Sequence, residues 1–206
     1  MSLALAINGR FDWKALPVYA IAQTIGAFLA AAVVYGLYSV GINSLAPDAA
    51  VHIFATAPNG IYTDDGSHGI LLWVFYYFVS TTLILFTLFS ADQVIGTMIL
   101  VLTVLSVTDS RNNVSPGIAP IMIGLAIGGV GMSFGFNCGF AINPARDFGP
   151  RLFTSLIYGT SVFHEHNYFF WVPIVGPLVG GAIGGGAYKL LTEILVLQQS
   201  PKISEI

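Results

Sequence analysis

The chain has 206 residues, 55 % of them hydrophobic and only 8 % charged, with a net charge of −3. Soluble domains carry about a quarter charged residues, so this chain cannot cover a globular surface with polar side chains and most of it must be solvated by lipid. Seven basic residues without a cluster exclude nucleic acid as a main partner, and one cysteine, Cys138, excludes an internal disulfide and a thiolate metal site.

Residues 2–7 lack both the basic start and the apolar length of a signal peptide. The first membrane span is predicted within 15–43, between Lys14 and Asp48, with Pro17 in its first turn where a missing N–H costs nothing. Residues 66–91 and 93–108 form two charge-free runs separated by Asp92 alone, with no Gly/Pro cluster to mark a bend. Residues 112–145 open with Pro116 and Pro120, run apolar through 121–136 and turn irregular over 137–143; the last span falls in 167–188. Gly124, Gly128, Gly131 and Gly135 in one helix, and Gly176, Gly180 and Gly184 in the last, recur at the four-residue spacing that lets helix backbones approach in lipid.

Basic residues set the orientation. Arg10 and Lys14 precede the first span, Arg111 follows 93–108, and Lys189 and Lys202 follow the last, whereas 39–91 has no Lys or Arg. Each of these ends is predicted cytoplasmic. The chain must then cross an even number of times between Lys14 and Arg111, yet three apolar runs lie between them. A single helix over both 66–91 and 93–108 would be about 65 Å long, roughly twice the hydrocarbon thickness.

The segment Gly139-Phe140-Ala141-Ile142-Asn143-Pro144-Ala145-Arg146-Asp147 carries the chemistry. Asn143 is a strong N-cap and Pro144 a favoured first helical residue, so a short helix is predicted to begin here with Arg146 in its first turn. Irregular backbone at membrane depth is tolerated only where it is buried in protein or lines a water-filled cavity, which points to a re-entrant half-helix beside a pore. Its positive N-terminal end and the Asn143 amide disfavour cations and protons. The other reading is an exterior loop followed by an ordinary capped helix.

Asn143-Pro144-Ala145-Arg146-Asp147 resembles the second signature of the aquaporin family, in its aquaglyceroporin version. The resemblance extends over most of the chain: 1–12 resemble a remnant of the first half-helix, 13–38 the third transmembrane helix, 92–109 the fourth, 119–137 the fifth, 143–153 the second half-helix and 168–191 the sixth. It implies an all-α integral membrane bundle with a re-entrant half-helix, incomplete, with about four family helices plus an extra apolar segment. It makes Asn143, with Pro144 and Ala145, the pore-centre group, Arg146 the selectivity-filter cation, Phe140 its apolar wall and Gly131 the position that leaves room for a glycerol-sized filter. Asp147, Arg151, Pro177, Leu178 and Tyr38 likewise resemble the glycerol-facilitating branch. A polyol has a hydroxyl edge and a hydrocarbon edge, which guanidinium donors and aromatic carbon satisfy together.

Set against the family, Met1 stands where its first Asn-Pro-Ala triplet has just ended, so the resemblance implies a chain without the first two transmembrane helices. The expectation is a fragment or incomplete gene model, ahead of a natural truncated isoform. Residues 60–90 are an atypical apolar insert that resembles translated non-coding sequence; its removal would leave two crossings before Arg111. The resulting expectation is a passive channel subunit for glycerol, small polyols, other small neutral solutes and water, without catalysis or cofactor. It is expected in the plasma membrane, multi-pass, with a cytoplasmic C-terminus, in homotetramers or mixed tetramers with full-length subunits, and non-conducting as the 206-residue chain alone. The rival expectation is a non-conducting form that associates with full-length subunits.

Weaker signals have structural explanations. His164-Glu165-His166 alternate within one loop without a further ligand cluster, so a solvated loop is expected rather than a metal site. Asp92 and Asp109 bracket 93–108 and are expected as helix-end carboxylates. Asn113-Val114-Ser115 is followed by Pro116 beside Arg111, and no glycan is expected. Cys138 is expected as a small buried thiol.

Overall fold

A computed structural model describes residues 1–59 and 81–199. All regular structure in them is helical: α1 (Ser2–Ile7), α2 (Leu16–Ile42), α3 (Pro47–His52), α4 (Thr81–Val107), α5 (Ala119–Cys138), α6 (Pro144–Tyr158), α7 (Glu165–Tyr168) and α8 (Val172–Gln199), with 3-10 turns at Ser110–Asn112, Thr160–Phe163 and Phe169–Trp171. Leu16–Ile42, Ala119–Cys138 and Phe169–Thr192 are each long and apolar enough to cross a membrane, and Ala91–Val107 adds a shorter apolar stretch. Prolines open α2, α3, α5 and α6, where φ is already helical and no intrahelical N–H is lost.

α4 joins part of the first charge-free run to the second. Thr81–Val107 is one uninterrupted helix of 27 residues, about 40 Å long, so residues 81–90 of the expected insert are continuous with the helix that follows them. The rest of that expectation, 60–80, lies outside the described residues, as does Lys202. Asp92 is accordingly not a helix-end carboxylate. It sits inside α4 and accepts a hydrogen bond from Asn137 Nδ2 at 2.8 Å, because the apolar sequence on both sides of it favours continued helix and a neighbouring amide satisfies it.

Asp109 is a helix-end carboxylate and gathers one end of the bundle. It caps the 3-10 turn after α4, pairs with Arg10 at 2.9 Å and with Arg111 at 2.5 Å, and accepts from Tyr188 Oη at 2.7 Å. The Arg111 hydrogen bond, with that of Tyr188, holds its carboxyl well below the usual carboxylate range. Lys189 Nζ reaches the Ile7 carbonyl at 3.4 Å. The ends marked by Arg10, Arg111 and Lys189 therefore lie together.

Glycine allows the closest helix contacts. A side chain on Gly180 would collide with the Val94 carbonyl of α4, and one on Gly184 would lie 3.1 Å from the Met98 oxygen. α1 docks on the same helix, where Gly185 faces Ala4 and where Ala4, Val101 and Leu105 form a buried cluster. Gly124 and Gly128 differ. Nothing lies within 4 Å of a methyl placed on either, so the spacing that marks a helix contact on α8 marks an open face on α5, where Leu125 and Met132 are also exposed.

Candidate functional site

The turn between α5 and α6 has a tightly constrained backbone. Gly139 ends α5 in the left-handed region at φ 77°, and Phe140 and Ile142 follow at φ 37° and 36°. For a bulky aromatic and a β-branched residue this conformation costs about 1–3 kcal/mol each and persists only when the surroundings over-determine it. Gln93 of α4 provides that determination. Fully buried, it accepts the Ile142 N–H at Oε1, 2.7 Å away, and donates from Nε2 to Cys138 Sγ at 3.0 Å. Thr97, one turn along, donates to the Ile142 carbonyl at 3.5 Å.

The Phe140 ring is seated against two glycines. A methyl on Gly131 would lie 3.1–3.4 Å from three of its ring atoms, and one on Gly135 3.2 Å from Cδ1. The structure thus brings together Phe140 and Gly131, residues nine apart in sequence.

α6 begins as its sequence predicts. Asn143 is extended, and its Oδ1 accepts from the N–H groups of Ala145 at 3.0 Å and Arg146 at 3.4 Å, with Pro144 as first helical residue. Asn143 and Arg146 are both exposed. With Ala145 they line a groove of about 530 Å³ whose other wall includes Gln23, Ala27 and Phe54. Arg146 donates from one guanidinium nitrogen to the Phe54 carbonyl at 3.3 Å. A guanidinium held by a single hydrogen bond keeps donors for a passing hydroxyl.

The other face of α6 is spent internally. Asp147 and Arg151, at i and i+4, form a buried ion pair at 2.9 Å, with side chains 0 % and 3 % exposed. Asp147 also accepts from the Thr56 N–H at 2.7 Å and hydroxyl at 2.5 Å, while Arg151 donates to the carbonyls of Thr56 and Val162. This network fixes the 53–59 segment, and with it the Phe54 carbonyl, against α6. The helix can pack this closely because of Gly149: a methyl there would lie 2.6 Å from the Thr24 oxygen of α2.

Of the residues singled out from the sequence, Asn143, Ala145 and Arg146 share the groove, with Pro144 setting the helix that presents them. Phe140 and Gly131 share a contact on the α5 side, and neither is in the groove lining. Asp147 and Arg151 lie behind the helix. Tyr38 stands 65 % exposed on α2, and on α8 Pro177 is buried while Leu178 is 44 % exposed; none of the three is in the groove lining. Sequence reasoning missed Gln93, Thr97 and Thr56. Gln93 had a signal, an uncharged polar side chain in an apolar span beside Asp92. Thr56, in an irregular segment, had none.

Known proteins resemble this chain in sequence and fold. The family model described as Major intrinsic protein matches residues 1–188. Aquaporin-9 of Homo sapiens is 44 % identical over 94 % of this chain and 62 % of its own length, and Aquaglyceroporin-2 of Rhizophagus irregularis is 40 % identical over 93 % and 57 %. The X-ray structure of the aquaglyceroporin from Plasmodium falciparum superposes with a TM-score of 0.77 at 33 % identity, covering 95 % of this chain and 72 % of that one. The chain spans about three-fifths of the length of these curated relatives. It is a multi-pass membrane protein, helical in all the regular structure of its described residues, and no enzyme, and it belongs to the major intrinsic protein family.

Proposed function

We propose that this chain builds the filter side of a passive membrane channel for glycerol, other small neutral solutes and water. The observation that carries the reading is the capped start of α6, where Asn143 and a singly bonded Arg146 open onto one groove. A neutral polyol accepts hydrogen bonds from these groups, while the positive helix end and the guanidinium repel cations and protons. Phe140, seated on Gly131 and Gly135, supplies an apolar surface at the turn just before the cap. The name aquaglyceroporin, carried by several relatives, joins the same two solutes.

Asn143 and Arg146 are exposed along an open groove, and the opposite wall of the path is assigned to further polypeptide. The 206-residue chain by itself is therefore expected to conduct little glycerol, and conduction is assigned to a completed channel, as a homotetramer or a mixed tetramer with full-length subunits. The ends marked by Arg10, Arg111 and Lys189 are assigned to the cytoplasm by their charge, in the plasma membrane.

The test is the ratio of glycerol to water permeability in vesicles carrying a completed channel, in which the part of the human relative that this chain does not match is fused onto it. Gly131→His places an imidazole where only 3.1–3.4 Å separates a Cβ from the Phe140 ring. The ring must then move, and glycerol flux is expected to fall further than water flux. An unchanged ratio in a correctly folded variant would remove Gly131 and Phe140 from the constriction.

A further inference from the structure

His52 and His166 are 114 positions apart by their numbers, yet the fold brings their imidazoles together, with ring centroids 5.9 Å apart and planes tilted by 34°. His52 is the last residue of α3 and His166 lies in the four-residue helix α7. Both are exposed. His166 holds a left-handed backbone at φ 50°, a conformation that ordinary residues adopt only at some cost. From the sequence, His166 has only His164 and Glu165 for company. The structure gives His164 a different contact, edge-on to Tyr168 at 5.1 Å, and supplies His52 in its place.

We propose that His52 and His166 form a two-histidine site for a borderline divalent transition-metal cation of the nickel, copper and zinc class. Two imidazoles bound to one such ion at about 2.0–2.1 Å, near tetrahedral, have ring centres about 5–6 Å apart, which the pair already matches. Imidazole is the ligand these ions share, and hard cations such as magnesium and calcium prefer oxygen. Asp48, one turn before His52 on α3, and Glu165, next to His166, add negative charge beside the pair. Among the described residues no three His, Cys, Asp or Glu converge, so the ion takes two protein ligands and completes its shell with water. Such a site is exchangeable and chelator-sensitive, in contrast to a closed structural centre.

Its position gives it a mechanical consequence. α3 leads directly into Phe54 and Thr56, whose carbonyls accept from Arg146 and Arg151, and the 3-10 turn before α7 carries Val162, whose carbonyl accepts from Arg151. An ion on His52 and His166 clamps these two segments across the Asp147–Arg151 network.

The experiment is equilibrium binding of Ni²⁺, followed by calorimetry on the purified 206-residue chain in detergent, with Mg²⁺ as the hard-cation control. One Ni²⁺ per chain is expected, reversed by EDTA, with no binding of Mg²⁺. His52→Gln and His166→Asn should each weaken binding by about tenfold or more, since each removes one of two direct ligands. Asn tolerates the left-handed conformation at 166, and size exclusion verifies the fold of each variant. His164→Ala should bind as the parent does. No Ni²⁺ binding by the parent chain, or equal binding by the His52→Gln/His166→Asn pair, overturns the proposal and leaves two neighbouring imidazoles only. Loss of binding in His164→Ala assigns the ion to the 164–166 loop and overturns it as well. The readout involves no solute flux, so its failure is separate from failure of the channel reading.

Discussion

The two faces of α6 use similar chemistry for opposite ends. On one face an arginine and an asparagine are exposed along a groove, and Arg146 has a single hydrogen bond to Phe54. On the other an arginine and an aspartate are buried, and Arg151 donates to Asp147, Val162 and Thr56 at once. A guanidinium saturated by the protein has nothing left to offer a solute, whereas one with spare donors does. The buried pair is therefore a positioning device. It holds the 53–59 segment, whose Phe54 carbonyl in turn orients Arg146.

Breaking the buried face should have the largest effect. Asp147→Ala leaves the Arg151 guanidinium buried without its carboxylate and the Thr56 N–H without its acceptor. Removing one partner of a buried pair costs about 3–5 kcal/mol. The expected outcome is a large drop in the detergent melting temperature, followed by fluorescence-detected size exclusion, or failure to fold. A melting temperature equal to that of the parent would show that the pair contributes nothing to holding 53–59.

An intermediate effect is expected at the turn that joins α5 to α6. Gln93→Leu leaves the Ile142 N–H without its acceptor, at about 1–3 kcal/mol, and frees a backbone whose φ values at Phe140 and Ile142 are strained. Cys138, 1 % exposed and bonded to the same Gln93, reports on this directly. Maleimide labelling of Cys138 should be slow in the parent and faster in Gln93→Leu. Equal rates would mean that the turn keeps its shape without Gln93.

The same contrast explains how much of the site was legible in the sequence. Asn143, Pro144 and Arg146 could be placed because capping is a local rule, written within four consecutive residues. The apolar spans were likewise visible as runs: α2, Leu16–Ile42, falls within the charge-free run 15–43. Partnerships across the fold were not visible. Gln93 meets Ile142 across 49 positions and Thr56 meets Asp147 across 91, and no periodicity encodes such contacts. Asp92 misled for a related reason. A charge reads as a helix end until the structure supplies Asn137 to satisfy it.

The exposed face should respond in the opposite sense, with almost no change in stability and a large change in selectivity. Arg146 is exposed and makes one hydrogen bond, at 3.3 Å, so Arg146→Ala is expected to move stability by only about 0.5 kcal/mol, the scale of surface substitutions. In the completed channel the same change removes the fixed positive charge beside the groove and leaves the Asn143 cap and the Asp147–Arg151 network intact. Proton or cation leak should therefore rise while glycerol still passes, because the electrostatic barrier falls and the groove widens. Vesicles loaded with a pH-sensitive dye under a proton gradient read the leak, and shrinkage in a glycerol gradient reads the solute flux. A stable Arg146→Ala channel that stays proton-tight would assign charge exclusion to the helix end and Asn143 alone. A melting temperature lowered as far as in Asp147→Ala would mean that Arg146 belongs with the buried network, and the division of α6 into a structural and a solute-facing side would fail.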